Sequence, residues 1–194
     1  PVRGGPWRVR LDLRNRWGPG DTNQFIVYDA VLDLDAPSNP WAVSVGQMNL
    51  YESAGIGELL GGLFKYRMDP SWTVGGYGGL EPQIHASSWD SSYQKYGLFA
   101  RFHGDLAQTA TVSYNAVRFA GESERRFVYA SGLAPLDRVV LYGNLEYELG
   151  SNLVGADRLS RVFFNARYDV TDRIDVTGNY SSGKGLDYHR FLLE

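Results

Sequence analysis

Leu159-Ser160-Arg161-Val162-Phe163-Phe164-Asn165-Ala166-Arg167-Tyr168-Asp169-Val170 decides the fold. Val162, Phe164, Ala166, Tyr168 and Val170 take every second position, while Arg161, Asn165, Arg167 and Asp169 fall between them. Successive side chains of a strand point to opposite faces, so this stretch presents one apolar wall and one charged wall.

The same alternation spreads outward along the chain. Before it, Val139, Leu141, Leu145, Tyr147 and Leu149 oppose Asn144, Glu146 and Glu148; after it, Ile174, Val176, Gly178 and Tyr180 oppose Asp175, Thr177 and Asn179. At the other end, Trp7, Val9, Leu11 and Leu13 oppose Arg8, Arg10, Asp12 and Arg14. Ile26, Tyr28, Ala30, Leu32 and Leu34 oppose Asp29 and Asp33, and Trp41, Val43 and Val45 form the next apolar set. Leu60, Phe64, Tyr66 and Met68 oppose Lys65 and Arg67, and a glycine-rich strand is expected at 72–80. Tyr96, Leu98, Ala100 and Phe102 oppose Lys95 and Arg101; Ala110, Val112, Tyr114 and Ala116 oppose Thr111, Ser113 and Asn115. Over 125–133, Phe127, Tyr129 and Leu133 are read as the apolar face against Arg126, and a last piece is expected from Asp187 to Glu194. That makes about twelve strands of about ten residues, the length at which a tilted strand crosses a bilayer.

Composition points the same way. The 194 residues carry 13 Tyr, 9 Phe, 5 Trp and 23 Gly, yet mean hydropathy is −0.31. A sheet with one face in water and one in lipid has such an average, because the mean hides two surfaces. No run of 18 apolar residues is present, so a membrane-spanning helix is excluded. Net charge is −3, without the basic surplus of a nucleic-acid binder. Cysteine is absent, which removes disulfide scaffolds and thiolate metal sites.

Joins sort by length. Tight ones are expected at 69–71, 104–106, 134–137 and 171–173, rich in Pro, Gly and Asp. Longer ones are expected at 15–23, 49–58, 81–93, 120–124, 150–158 and 182–186. Short turns at one end and long loops at the other are a feature of outer-membrane barrels. The fold class expected is therefore all-β: an antiparallel up-and-down transmembrane β-barrel, with 1–194 a single domain or a contiguous part of a larger barrel. The sequence opens at Pro1 without signal-peptide features, so a mature chain or an excised piece is expected, and Phe191-Leu192-Leu193-Glu194 reads as an interrupted strand, so a fragment of a larger barrel is the expectation.

Alternation alone does not say which face is inside. A soluble β-sandwich or lipocalin-like barrel would turn its apolar face inward. The membrane reading turns it out, with mixed charges paired across a polar interior and aromatic rings at the two membrane interfaces. On that reading Arg8, Arg10, Asp12, Asp29, Asp33, Lys65, Arg67, Arg101, Glu146, Arg161, Arg167 and Asp169 line a lumen. Trp7, Trp41, Trp72, Tyr147 and Tyr168 lie in the interface belts.

Val45-Gly46-Gln47-Met48-Asn49-Leu50-Tyr51-Glu52-Ser53-Ala54-Gly55, followed by Leu60-Gly61-Gly62-Leu63-Phe64-Lys65-Tyr66, resembles a stretch of porin-like outer-membrane proteins. Those often run V-G-R-Q, a loop, then L-D-G; here Gln47 stands where Arg is usual and Gly61 where Asp is usual. The resemblance implies a barrel in the bacterial outer membrane and a pore, without indicating a particular solute.

The expected function is a porin-like diffusion or export channel with a charged lumen, partnered by outer-membrane lipid, other envelope proteins or further strands of the same barrel, and not by nucleic acid. A structural barrel that anchors a surface or periplasmic complex is the alternative. A hydrolase is the weakest reading: His85-Ala86-Ser87 has the His and Ser spacing of outer-membrane phospholipases but no further motif, and a polar loop explains it. Neither His103 nor His189 offers metal-ligand spacing, so no enzyme activity, metal or cofactor is expected.

Overall fold

The computed structural model describes residues 6–16, 24–50, 54–83, 88–151, 159–171 and 173–183. Its regular elements are eleven strands: β1 (Trp7–Arg16), β2 (Gln24–Leu34), β3 (Trp41–Asn49), β4 (Glu58–Arg67), β5 (Trp72–Gln83), β6 (Ser88–His103), β7 (Thr109–Phe119), β8 (Glu122–Leu136), β9 (Val139–Ser151), β10 (Leu159–Thr171) and β11 (Ile174–Gly183). They form one sheet in chain order, and the strand pairs are antiparallel throughout. Every connection joins neighbours, as up-and-down topology requires.

Among the described residues the sheet is open: β1 pairs only with β2, and β11 only with β10. The expected closure into a barrel is thus not seen within them. The expected twelfth piece, 187–194, lies outside the described residues.

Turn chemistry fixes the tight end. The Asp69 carboxylate accepts from the Ser71 and Trp72 backbone amides at 2.8 Å, closing the β4–β5 turn. The β7–β8 join differs from expectation. It is only Ala120-Gly121, with φ of 49° and 88°. Two successive positive φ values match the twist of a two-residue hairpin, so pairing runs on to Phe119 and Glu122 where a five-residue loop was expected. Likewise β5 and β6 extend to Gln83 and Ser88, shortening the long join expected at 81–93 to 84–87.

A glycine contact marks β4–β5. Gly61 pairs with Gly79, and a Cβ on Gly61 would stand 2.7 Å from the Gly79 Cα and 2.2 Å from the Gly78 carbonyl oxygen. Side chains here would force the two strands apart; their absence lets the backbones approach. The buried side chains, among them Val31, Met48, Leu59, Leu63, Tyr77, Phe99, Phe127 and Tyr129, form one cluster. It lies on the face of the sheet that we call inner.

Candidate functional site

Burial alternates strictly along several strands and assigns the faces. On β7, Thr111, Ser113 and Asn115 are buried while Val112 and Tyr114 are exposed. On β9, Asn144, Glu146 and Glu148 are buried while Leu145, Tyr147 and Leu149 are exposed. Leu98 on β6 is 66% exposed, between buried Gly97 and Phe99. The outer face is the apolar one. Its exposed residues run from Val9 and Leu11 on β1, through Val45, Phe64 and Leu98, to Phe164 on β10 and Val176 on β11.

Part of β8 breaks the expected pattern. Phe127 and Tyr129 point to the inner face and are buried, whereas Arg126 is exposed. The adjoining Arg125, not Arg126, is the buried guanidinium. Register slips at Val117/Arg118 against β7 and at Arg126/Phe127 against β9 accompany this. The reason is a second layer that Phe127 and Tyr129 pack against.

That layer is the connection between β3 and β4. Leu50, Ala54 and Ile56 are buried in the inner cluster, so the described part of the connection lies against the inner face. It reaches β7 and β8, far along the sheet. The Ala54 carbonyl accepts from Ser113 Oγ at 2.7 Å and from Asn115 Nδ2 at 3.0 Å. Asn115 Nδ2 also reaches Ser113 Oγ at 2.9 Å, and the Tyr77 hydroxyl donates to Asn115 Oδ1. Tyr77 on β5 thereby bridges over β6 to β7, passing Gly97, where a Cβ would stand 2.6 Å from the Tyr77 hydroxyl oxygen. Polar groups removed from water are nearly all bonded in folded proteins, and these are bonded to one another. The arrangement covers the inner face at the level of Tyr77, Gly97 and Asn115.

The expected lumen residues lie on the inner side but fall into separate groups. On β1–β4, Arg10 Nε sits 3.0 Å from an Asp33 oxygen and Arg10 Nη1 3.5 Å from Asp29, and Ser44 Oγ donates to Asp33 at 2.6 Å. Arg67 pairs with Asp35 and donates to the Asn39 carbonyl at 2.9 Å. Asp12 pairs with Arg14 at 3.2 Å, and Arg8 is exposed. On β8–β10, Arg125 meets Glu146 at 2.8 Å and also engages Glu148, and Arg161 stands 3.4 Å from Glu146. Arg125 also lies 3.9 Å above the Phe127 ring. On β10–β11, Arg167 pairs with Asp169 at 3.1 Å and lies 3.6 Å from Asp175. Lys65 on β4 and Arg101 on β6 are half-buried on the same side.

The expected interface aromatics Trp7, Trp41, Trp72, Tyr147 and Tyr168 are all exposed on the outer face. Trp41 pairs in register with Tyr66, and Trp72 with Phe102, the latter rings 5.2 Å apart. With Trp7 and Tyr168 these residues sit near the strand ends that adjoin the tight turns. Tyr147 lies towards the other end, opposite Leu159. His85 and Ser87 lie outside the described residues.

Sequence reasoning did not single out Ala54, Gly55, Ser113, Asn115, Arg125 or Asp35 as site residues. One signal was present. A connection containing Leu50, Ala54 and Ile56 is unusually apolar for a solvated loop. No metal-binding group of His, Cys, Asp and Glu occurs among the described residues.

No protein-family model, curated protein or solved structure matches the chain.

Proposed function

We propose that this chain builds the wall of an outer-membrane β-barrel and serves as a channel whose bore is narrowed by the β3–β4 connection. The single observation carrying this is the sidedness of the sheet: exposed Val, Leu, Phe, Trp and Tyr on one face across all strands, paired ions and buried amides on the other. A soluble sheet hides its apolar face, and a contiguous exposed apolar surface of this extent marks contact with something apolar. In hydrocarbon the arrangement is the stable one.

An open sheet edge cannot lie in lipid, because each unpaired backbone group there costs several kcal/mol. Ten antiparallel steps leave β1 and β11 running in the same direction. Direct joining of the two edges would make a parallel seam; an odd number of further strands makes an antiparallel one. The wall is accordingly completed by strands beyond the eleven.

A second reading has its own support. The dry cluster around Ala54, Phe127 and Tyr129 fills part of the inner side, as it would in a closed barrel that anchors an envelope complex. Planar-bilayer recording separates the two. The channel reading expects discrete conductance steps from the folded full chain. Silent bilayers, despite confirmed insertion, would leave the anchoring reading in its place.

A further inference from the structure

We propose that Lys65 and Arg101 form a binding site for a small anionic solute, one bearing phosphate or carboxylate, on the inner face between the β3–β4 connection and the tight-turn end. This rests on the channel reading for its access to solute, and on geometry for its chemistry.

Four cations gather where β1, β4 and β6 face inward: Arg10, Lys65, Arg67 and Arg101. The carboxylates beside them are Asp33 and Asp35. Both are taken. Asp33 holds Arg10 Nε and Ser44 Oγ, and Asp35 holds Arg67. Among the described residues, no carboxylate lies within ion-pair distance of Lys65 or Arg101. The Arg101 Nε is covered from solvent and has no hydrogen-bond partner. An uncompensated guanidinium donor of this kind is costly unless something negative meets it.

The intervening strand carries only short side chains at this level. Lys65 pairs with Gly75, and Arg101 pairs with Thr73 on one side and Thr111 on the other. β5 offers a glycine and a threonine between the two cations, and the Phe99 ring of β6 lies over the glycine. β4 and β6 stand two strand spacings apart, about 10 Å. Two long basic side chains that flank Thr73 and the Phe99 ring can converge on one anion above them. Arg supplies a planar fork and Lys a mobile point charge, a combination suited to tetrahedral or planar oxyanions. Thr73 and Thr111 add hydroxyls at the same level.

The test uses the full chain folded in detergent, with inorganic phosphate as probe and titration calorimetry as readout. Wild type is expected to bind phosphate, and Lys65→Gln and Arg101→Gln to bind it about tenfold more weakly each. Asp35→Asn releases Arg67 and is expected to strengthen binding, a gain that misfolding does not produce. Equal phosphate binding by wild type and both Gln variants, or none by wild type, would overturn the site. Bilayer recording keeps the two ideas apart. A conducting protein that binds no phosphate sinks the anion site alone, whereas phosphate binding by a non-conducting protein upholds the site and sinks the channel.

Discussion

Gly55 lies against the ring of Tyr129 so closely that a Cβ at position 55 would stand 2.3 Å from the Tyr129 Cγ. The same glycine has φ of +70°, in the left-handed region. Two independent reasons therefore require glycine where the β3–β4 connection meets β8. Gly57, with φ of +60°, has nothing within 4 Å of its would-be Cβ. Gly57→Ala is expected to cost roughly 1–2 kcal/mol, the left-handed penalty alone. Gly55→Ala adds overpacking of about 1–3 kcal/mol and is expected to push the connection off the inner face. Thermal denaturation in detergent ranks the two variants, and single-channel conductance is expected to rise for Gly55→Ala only.

Asn115 anchors the same connection from β7. It is wholly buried, and its side chain serves Ala54, Ser113 and Tyr77 together. Asn115→Ala strips the Tyr77 hydroxyl of its acceptor and is expected to cost about 1–3 kcal/mol. Ser113→Ala leaves Ala54 still bonded to Asn115, and about 0.5–1.5 kcal/mol is expected. Equal losses in melting temperature would contradict this division of roles.

The Arg125, Glu146 and Glu148 group is a buried ionic network, and its value shows only when it is broken asymmetrically. Arg125→Ala leaves buried Glu146 and Glu148 with only the exposed Arg161 beside Glu146, and a loss of about 3–5 kcal/mol is expected. The triple variant Arg125→Met, Glu146→Gln, Glu148→Gln removes all three charges and is expected to recover most of that loss. A triple variant as unstable as Arg125→Ala would show that the charges themselves hold the β8–β9 wall.

Depth should govern the cost of charge on the outer face. Leu98 lies within β6, whereas Leu106 lies in the tight turn after it; both are more than 60% exposed. In a bilayer, Leu98→Arg is expected to cost about 2–4 kcal/mol and Leu106→Arg about 0–1 kcal/mol. On a water-facing surface both would be near neutral. Refolding titrations into lipid vesicles read the difference.

How far the sequence carried this reading depends on which force acts where. Alternation over 159–170 and 139–149 made the strands legible, because no ionic side chain falls on the face of Val162, Phe164, Ala166 and Tyr168 or on that of Leu141, Leu145 and Tyr147. Antiparallel order followed from tight joins such as Asp69-Pro70-Ser71. The faces of 125–133 were not legible. Val128 and Ala130 are as apolar as Phe127 and Tyr129, and the doublet Arg125-Arg126 places one guanidinium on each face. What decides is the connection that Phe127 and Tyr129 pack against, and its route to β7 and β8 is a contact between residues about sixty positions apart. The pairing of Arg67 with Asp35 was hidden for a similar reason, Asp35 lying in a join rather than on a strand face.

The claim on which the rest depends is that the apolar face meets lipid. The chain lacks cysteine, so single substitutions report cleanly. Leu11→Cys, Leu98→Cys and Phe164→Cys on the outer face, and Arg10→Cys, Arg167→Cys and Thr177→Cys on the inner, would be reconstituted in vesicles and treated with a membrane-impermeant maleimide. The account expects the outer set to stay unlabelled until detergent is added and the inner set to label in the intact bilayer. Rapid labelling of the outer set with protection of the inner set would contradict it.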